Sequence, residues 1–123
     1  MERARVSKKF SFDAAHFLPG YDGKCSNMHG HTWAVEITVE GLVGVNGIVL
    51  DFIVLKQIVE PWIEVLDHRL LNDVLPMPTA ENLALWFRDK WLGEPRPVLL
   101  KGVKVWESPT SYAEVSGDEN STD

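Results

Sequence analysis

His29-Gly30-His31-Thr32-Trp33-Ala34-Val35-Glu36-Ile37-Thr38-Val39-Glu40 is the stretch that sets the architecture. Its odd positions carry His29, His31, Trp33, Val35, Ile37 and Val39, whereas Thr32, Ala34, Glu36, Thr38 and Glu40 fill the even ones. Successive side chains of a strand point to opposite faces, so this period of two predicts a strand with one apolar face. His29 and His31 share that face and stand at its leading end, where a loop-built pocket can open. Upstream, Val6, Lys8, Phe10, Phe12, Ala14 and His16 repeat at the same period and predict a first strand ending at His16. Pro19-Gly20-Tyr21-Asp22-Gly23 between the two reads as a loop.

Downstream, Gly41 to Gly47 reads as a turn. Asp51 is placed to cap a helix whose buried stripe is Phe52, Leu55, Val59, Trp62 and Leu66, with Pro61 expected to kink or split it. Thr79 follows Pro76 and Pro78 and can cap a second helix. Glu81 complements the dipole of that helix, and Leu83, Trp86 and Phe87 face inward. Pro95 and Pro97 end it. Val98 to Glu107 predicts a strand with Leu99, Val103, Val105 and Glu107 on one face, and Tyr112 to Val115 a weaker last one. The order is strand, strand, helix, helix, strand, strand, an α+β domain over residues 1–115. Residues 116–123 form an acidic tail expected to be disordered.

The bulk numbers restrict function. At 123 residues, 45% hydrophobic and with five tryptophans, the chain is one domain able to bury a core. The net charge of −6 is concentrated at the end. Glu114, Asp118, Glu119 and Asp123 are unaccompanied by Lys or Arg, and the rest carries 12 basic and 14 acidic residues, a net of −2. No basic patch supports nucleic-acid binding, no apolar run approaches membrane-spanning length, and the N-terminus lacks a signal-peptide core. The single cysteine cannot form an intrachain disulfide. A cytoplasmic protein is the expectation.

The chemistry is concentrated. Three of the four histidines and the only cysteine lie between His16 and His31. Three neutral imidazoles with an open position suit a catalytic Zn2+ site. His29 and His31 can chelate from one strand face, and His16 completes the set if its strand pairs with theirs. Cys25 could be a fourth ligand that closes a structural His3Cys site; as a free cysteine it is either a small buried hydrophobe or a thiol activated by a nearby cation, and its polar neighbours Lys24, Ser26 and Asn27 favour the reactive reading. Asp67-His68 places a carboxylate beside an imidazole, which suits proton transfer. Glu107, at the end of an apolar strand, is either solvated there or anchors a ligand with paired N–H donors.

Several segments together resemble the 6-pyruvoyltetrahydropterin synthase and 6-carboxytetrahydropterin synthase family. They are Phe12-Asp13-Ala14-Ala15-His16, Cys25-x-x-x-His29-Gly30-His31, Gly47-Ile48-Val49-Leu50-Asp51-Phe52, Leu66-Asp67-His68, Pro78-Thr79-Ala80-Glu81-Asn82 and Trp106-Glu107-Ser108. The resemblance implies the tunnelling fold, a four-stranded antiparallel sheet with two helices on one face. It also implies that the sheets of several subunits join into a barrel, as a trimer or hexamer with active sites between subunits. The roles it implies are zinc ligation by His16, His29 and His31, a general base at Cys25, and a second proton exchanged by His68, oriented by Asp67. Glu107, with Thr79, would bind the pterin of a 7,8-dihydroneopterin triphosphate substrate. The gap of three residues between Cys25 and His29 resembles the branch that forms 6-carboxy-5,6,7,8-tetrahydropterin, a precursor of queuosine, and not the pyruvoyl branch. No cluster of cations for a triphosphate stands out; Lys24 is a candidate by proximity alone. A non-catalytic, zinc-stabilised pterin-binding module is the alternative of a different kind.

Overall fold

The computed structural model describes residues 1–117, and the remainder of the acidic tail lies outside them. The elements are β1 (Arg3–His16), β2 (His29–Leu42), α1 (Phe52–Leu66), β3 (Arg69–Leu70), α2 (Ala80–Leu92), β4 (Leu99–Ser108) and β5 (Ser111–Ser116). They form one sheet in the order β3-β1-β2-β4-β5. The four long strands are antiparallel neighbours and both helices pack on one face, as the family resemblance implies. A correction concerns the strand count. Arg69 and Leu70 add a fifth strand, parallel to β1 at Ala14 and Ala15. Two residues are too short to show a period, so only the pairing reveals them. Ser116, assigned to the tail by sequence, is the last residue of β5 and pairs with Gly102.

The face under the helices is built from the predicted parities. Phe12 and Ala14 of β1, Trp33, Val35, Ile37 and Val39 of β2, and Val103 and Val105 of β4 are buried against Leu55, Val59, Leu66, Leu83 and Phe87 of the helices. Burying each large apolar side chain contributes roughly 1.5–3 kcal/mol. The other face is polar. Arg3 and Arg5 both reach Glu40, and Ser7 meets Thr38 across the β1–β2 pair. Among the described residues, no helix is long and apolar enough to cross a membrane.

Three local expectations are corrected. Helix α1 runs through Pro61 without a break. Pro61 and Gln57, whose carbonyl loses its donor, both lie on the exposed side, where water can take that bond. The buried stripe of α1 is Leu55, Val59, Ile63 and Leu66; Phe52 is 51% exposed and Trp62 is only half-buried. On β4, a register shift opposite Thr38 and Val39 carries the chain past Lys101, so Leu100 turns inward and Leu99 outward. An extra residue in one strand inverts the facing of everything on one side of it. The caps are as predicted: Asp51 accepts the Ile53 N–H at 2.8 Å, and Thr79 accepts that of Asn82 at 3.1 Å.

Candidate functional site

Pairing of β1 with β2 sets His16 directly opposite His29 and Ala14 opposite His31. Alternation then turns all three imidazoles to the helix-covered face at one end of the sheet. Trp33 closes the space beneath them, with its ring edge-on to His16 and His31 at centroid separations of 4.9 and 5.4 Å. From β4, Glu107 reaches the same point. The ligand atoms of His16, His29, His31 and Glu107 all lie within 4.8 Å of one another.

Backbone carbonyls fix two of the rings. His16 Nδ1 is 2.8 Å from the Pro78 carbonyl, and His29 Nδ1 is 2.7 Å from that of Asn27. A carbonyl oxygen only accepts, so both Nδ1 atoms donate and each neutral ring carries its lone pair at Nε2. Those two Nε2 atoms face each other at 3.0 Å. Two lone pairs so close repel unless a cation or proton lies between them. His31 Nε2 is buried without a hydrogen bond; Glu107 Oε2 is 3.1 Å away but is not aligned to accept one. Burial, the largest influence, lowers the His31 pKa; Glu107 opposes it, and His16 and His29 reinforce it. The neutral form is the one that can coordinate. Converging Nε2 lone pairs, carbonyl-fixed tautomers and an orphaned nitrogen fit a metal ion.

Cys25 is half-buried on a single 3₁₀ turn, Lys24–Ser26, and its carbonyl accepts the Leu18 N–H at 2.8 Å. Its sulfur is not among the clustered ligand atoms, so a closed His3Cys site is not formed. Thr79 caps α2, one residue after the Pro78 carbonyl that holds His16. The sequence reading gave Glu107 to the substrate; its carboxylate also lies against the imidazoles, 3.4 Å from His16 Nε2.

Asp67 and His68 sit where α1 passes into β3. Asp67 Oδ2 is 3.0 Å from His68 Nδ1. His68 has φ of 59°, the one positive value at a non-glycine residue among those described. That conformation costs roughly 1–2 kcal/mol and must be held by its surroundings. The Asp67 carboxyl is held below its usual range, chiefly by the backbone N–H of Asp13 and secondarily by His68.

Two clefts open at His31. One, of about 340 Å³, is lined by Lys9, Ser11, Trp106 and Glu107; the other, of about 570 Å³, by Asp13, Gly30, His68 and Arg69. Sequence reasoning missed the Asn27 and Pro78 carbonyls, because a carbonyl is present at every residue and carries no signature. It also missed Asp13 and Thr32, which look like ordinary polar-face residues.

Comparison with known proteins places these observations. The model of the 6-pyruvoyl tetrahydropterin synthase family matches residues 5–118. The chain belongs to that family. A 6-carboxy-5,6,7,8-tetrahydropterin synthase of Synechocystis is 40% identical over 116 residues, 88% of this chain and 89% of the relative. A dihydroneopterin monophosphate aldolase of Pyrococcus furiosus is 40% identical over 106 residues, 85% and 90% of the two chains. The structure of Caenorhabditis elegans 6-pyruvoyl tetrahydropterin synthase superposes with a TM-score of 0.85 at 26% identity, covering 96% of this chain and 98% of that one. The tunnelling fold of this family is therefore the fold of the chain.

Proposed function

We propose that the protein is a zinc-dependent lyase that converts 7,8-dihydroneopterin triphosphate to 6-carboxy-5,6,7,8-tetrahydropterin, releasing acetaldehyde and triphosphate. This is a step toward queuosine and related 7-deazapurines. The observation that carries the reading is the meeting of the ring nitrogens of His16, His29 and His31, with Cys25 a free thiol outside the set. Close relatives with the carboxypterin synthase name support it.

His16, His29 and His31 hold the metal, which when bound supplies Lewis acidity to the side-chain oxygens of the substrate. The protein's own groups do the rest. The thiolate of Cys25 removes a proton from the substrate side chain. His68, oriented by Asp67, exchanges the second proton with solvent, for which an exposed ring is suited. Glu107 accepts the paired N–H donors of the pterin, and the Trp106 indole offers a flat wall in the same cleft. Thr79 holds the start of α2 and with it the Pro78 carbonyl. We assign the active sites to subunit interfaces of a homo-oligomer, a trimer or hexamer, because joined sheets remove the open edges of β3 and β5. A lone thiol suits the reducing cytoplasm.

Product identification tests the reading. Incubation of metal-loaded protein with dihydroneopterin triphosphate releases acetaldehyde and triphosphate together. A stable pyruvoyl product moves the assignment to 6-pyruvoyltetrahydropterin synthase. The relative named dihydroneopterin monophosphate aldolase favours a second reading, carbon–carbon cleavage of the monophosphate. Turnover of the monophosphate with the triphosphate left untouched selects it. Cys25→Ala separates both from a non-catalytic module: metal stays bound and turnover falls ~100-fold or more. Loss of metal with unchanged activity refutes the base role.

A further inference from the structure

Asp13 and Thr32 are direct cross-strand partners on the polar face of the β1–β2 pair. Thr32 Oγ1 lies 2.6 Å from Asp13 Oδ1. A carboxylate only accepts, so the hydroxyl donates its one proton there. Asp13 also grips the Asp67-His68 segment from both sides of its own peptide. Its N–H donates to Asp67 Oδ1 at 2.9 Å, and its carbonyl accepts the His68 N–H at 2.6 Å. Asp67 thus gives one oxygen to β1 and the other to the imidazole.

These polar contacts carry the orientation, because the His68 side chain is 78% exposed and has little packing to hold it. A non-glycine residue with φ of 59° needs such support. There is also competition to suppress. Ligand atoms of Asp13, Asp67 and His68 lie within 4.8 Å of one another. An untethered Asp13 carboxylate would repel that of Asp67 and compete with it for His68 Nδ1. The hydroxyl of Thr32 holds it aside. Thr32 follows His31, and Asp13 precedes His16 by three residues on β1, so the strands that carry the imidazole cluster carry this support too.

We propose that Asp13 and Thr32 form a positioning brace that fixes the Asp67-His68 pair to the paired strands β1 and β2. The structural claim stands on the hydrogen bonds; its catalytic consequence rests on the acid-base role proposed for His68.

The test is Thr32→Val, which keeps shape and strand preference but removes the donor, beside Thr32→Ser, which restores it. In metal-loaded full-length protein, the Asp13 and His68 amides of Thr32→Val exchange with solvent about 10-fold faster than in wild type, and kcat falls by about 10-fold with KM within about twofold, the lower end of what outer-shell supports contribute. Thr32→Ser behaves as wild type in both respects. Unchanged exchange at the two amides in folded Thr32→Val overturns the brace, as does an equal loss in Thr32→Ser. If wild type turns over no pterin phosphate and the two amides still loosen, the functional reading fails and the brace stands. If wild type turns over and Thr32→Val retains full kcat, the catalytic consequence falls.

Discussion

His16 ends strand β1 and His68 is hydrogen-bonded to that strand, yet their side chains are 1% and 78% exposed. The first ring is sealed between Trp33 and the Pro78 carbonyl, with its lone pair directed at two further imidazoles. The second stands in an open cleft with one nitrogen on a carboxylate. The contrast follows from two chemical demands on one residue type. A metal donor must hold a single tautomer with its lone pair turned inward, which a carbonyl partner enforces. A proton carrier must exchange with water, which burial would prevent. In each case the backbone supplies the restraint: the Pro78 carbonyl for His16, the Asp13 peptide for Asp67 and His68.

The sharpest way to break this comparison is to delete a ring on each side. His29→Ala lowers metal affinity by ~100-fold or more, since even outer-shell changes cost ~10–100-fold; His68→Ala leaves affinity unchanged. A chelator-competition titration of both variants reads this, and equal losses would erase the distinction. Next in size is His68→Gly. Turnover drops ~100-fold with loss of the proton carrier. Stability does not fall and rises by up to about 1 kcal/mol, because glycine adopts positive φ without strain. Urea midpoints beside steady-state rates expose these opposite signs, and a destabilised glycine variant would refute the strain argument.

The smallest effect is in pH. Burial, partly offset by Glu107, lowers the His31 pKa from its ordinary 6.5. Just below that value the unfolded chain binds more protons at this ring than the folded one. The stability of metal-free protein therefore falls as pH drops from 6.5 toward the folded value and levels off beneath it. His31→Asn flattens that part of a plot of urea midpoint against pH. Asp67, with its carboxyl lowered chiefly by the Asp13 N–H, contributes above its ordinary 3.8, and that contribution is lost only as pH falls through its folded value. The two losses thus begin at different pH, below 6.5 for His31 and below 3.8 for Asp67, and a single shared onset would break the comparison.

Legibility in the sequence followed the range of the interaction. Trp33, Val35, Ile37 and Val39 declared their face by period alone, and Asp51 and Thr79 declared their caps by position before an apolar run. Leu99 was misread because a bulge near Lys101 depends on pairing with β2, and local period carries no trace of it. Trp62 was misread for Ile63 because both positions fit helical spacing, and the packing of α1 on β1 decides between them. Pro61 marks a missing donor, but not whether water can take the freed carbonyl.

By itself the sequence determined the donor types, the two-faced strands, the helix starts and the adjacency of Asp67 to His68. Each is a matter of chemical identity or of a period a few residues long. Tertiary structure alone decided that His16 faces His29, that the Pro78 and Asn27 carbonyls set their tautomers, that Glu107 arrives from β4, and that Asp13 holds Asp67. Those outcomes depend on register and on backbone groups every residue possesses, so they exist only once distant strands have paired.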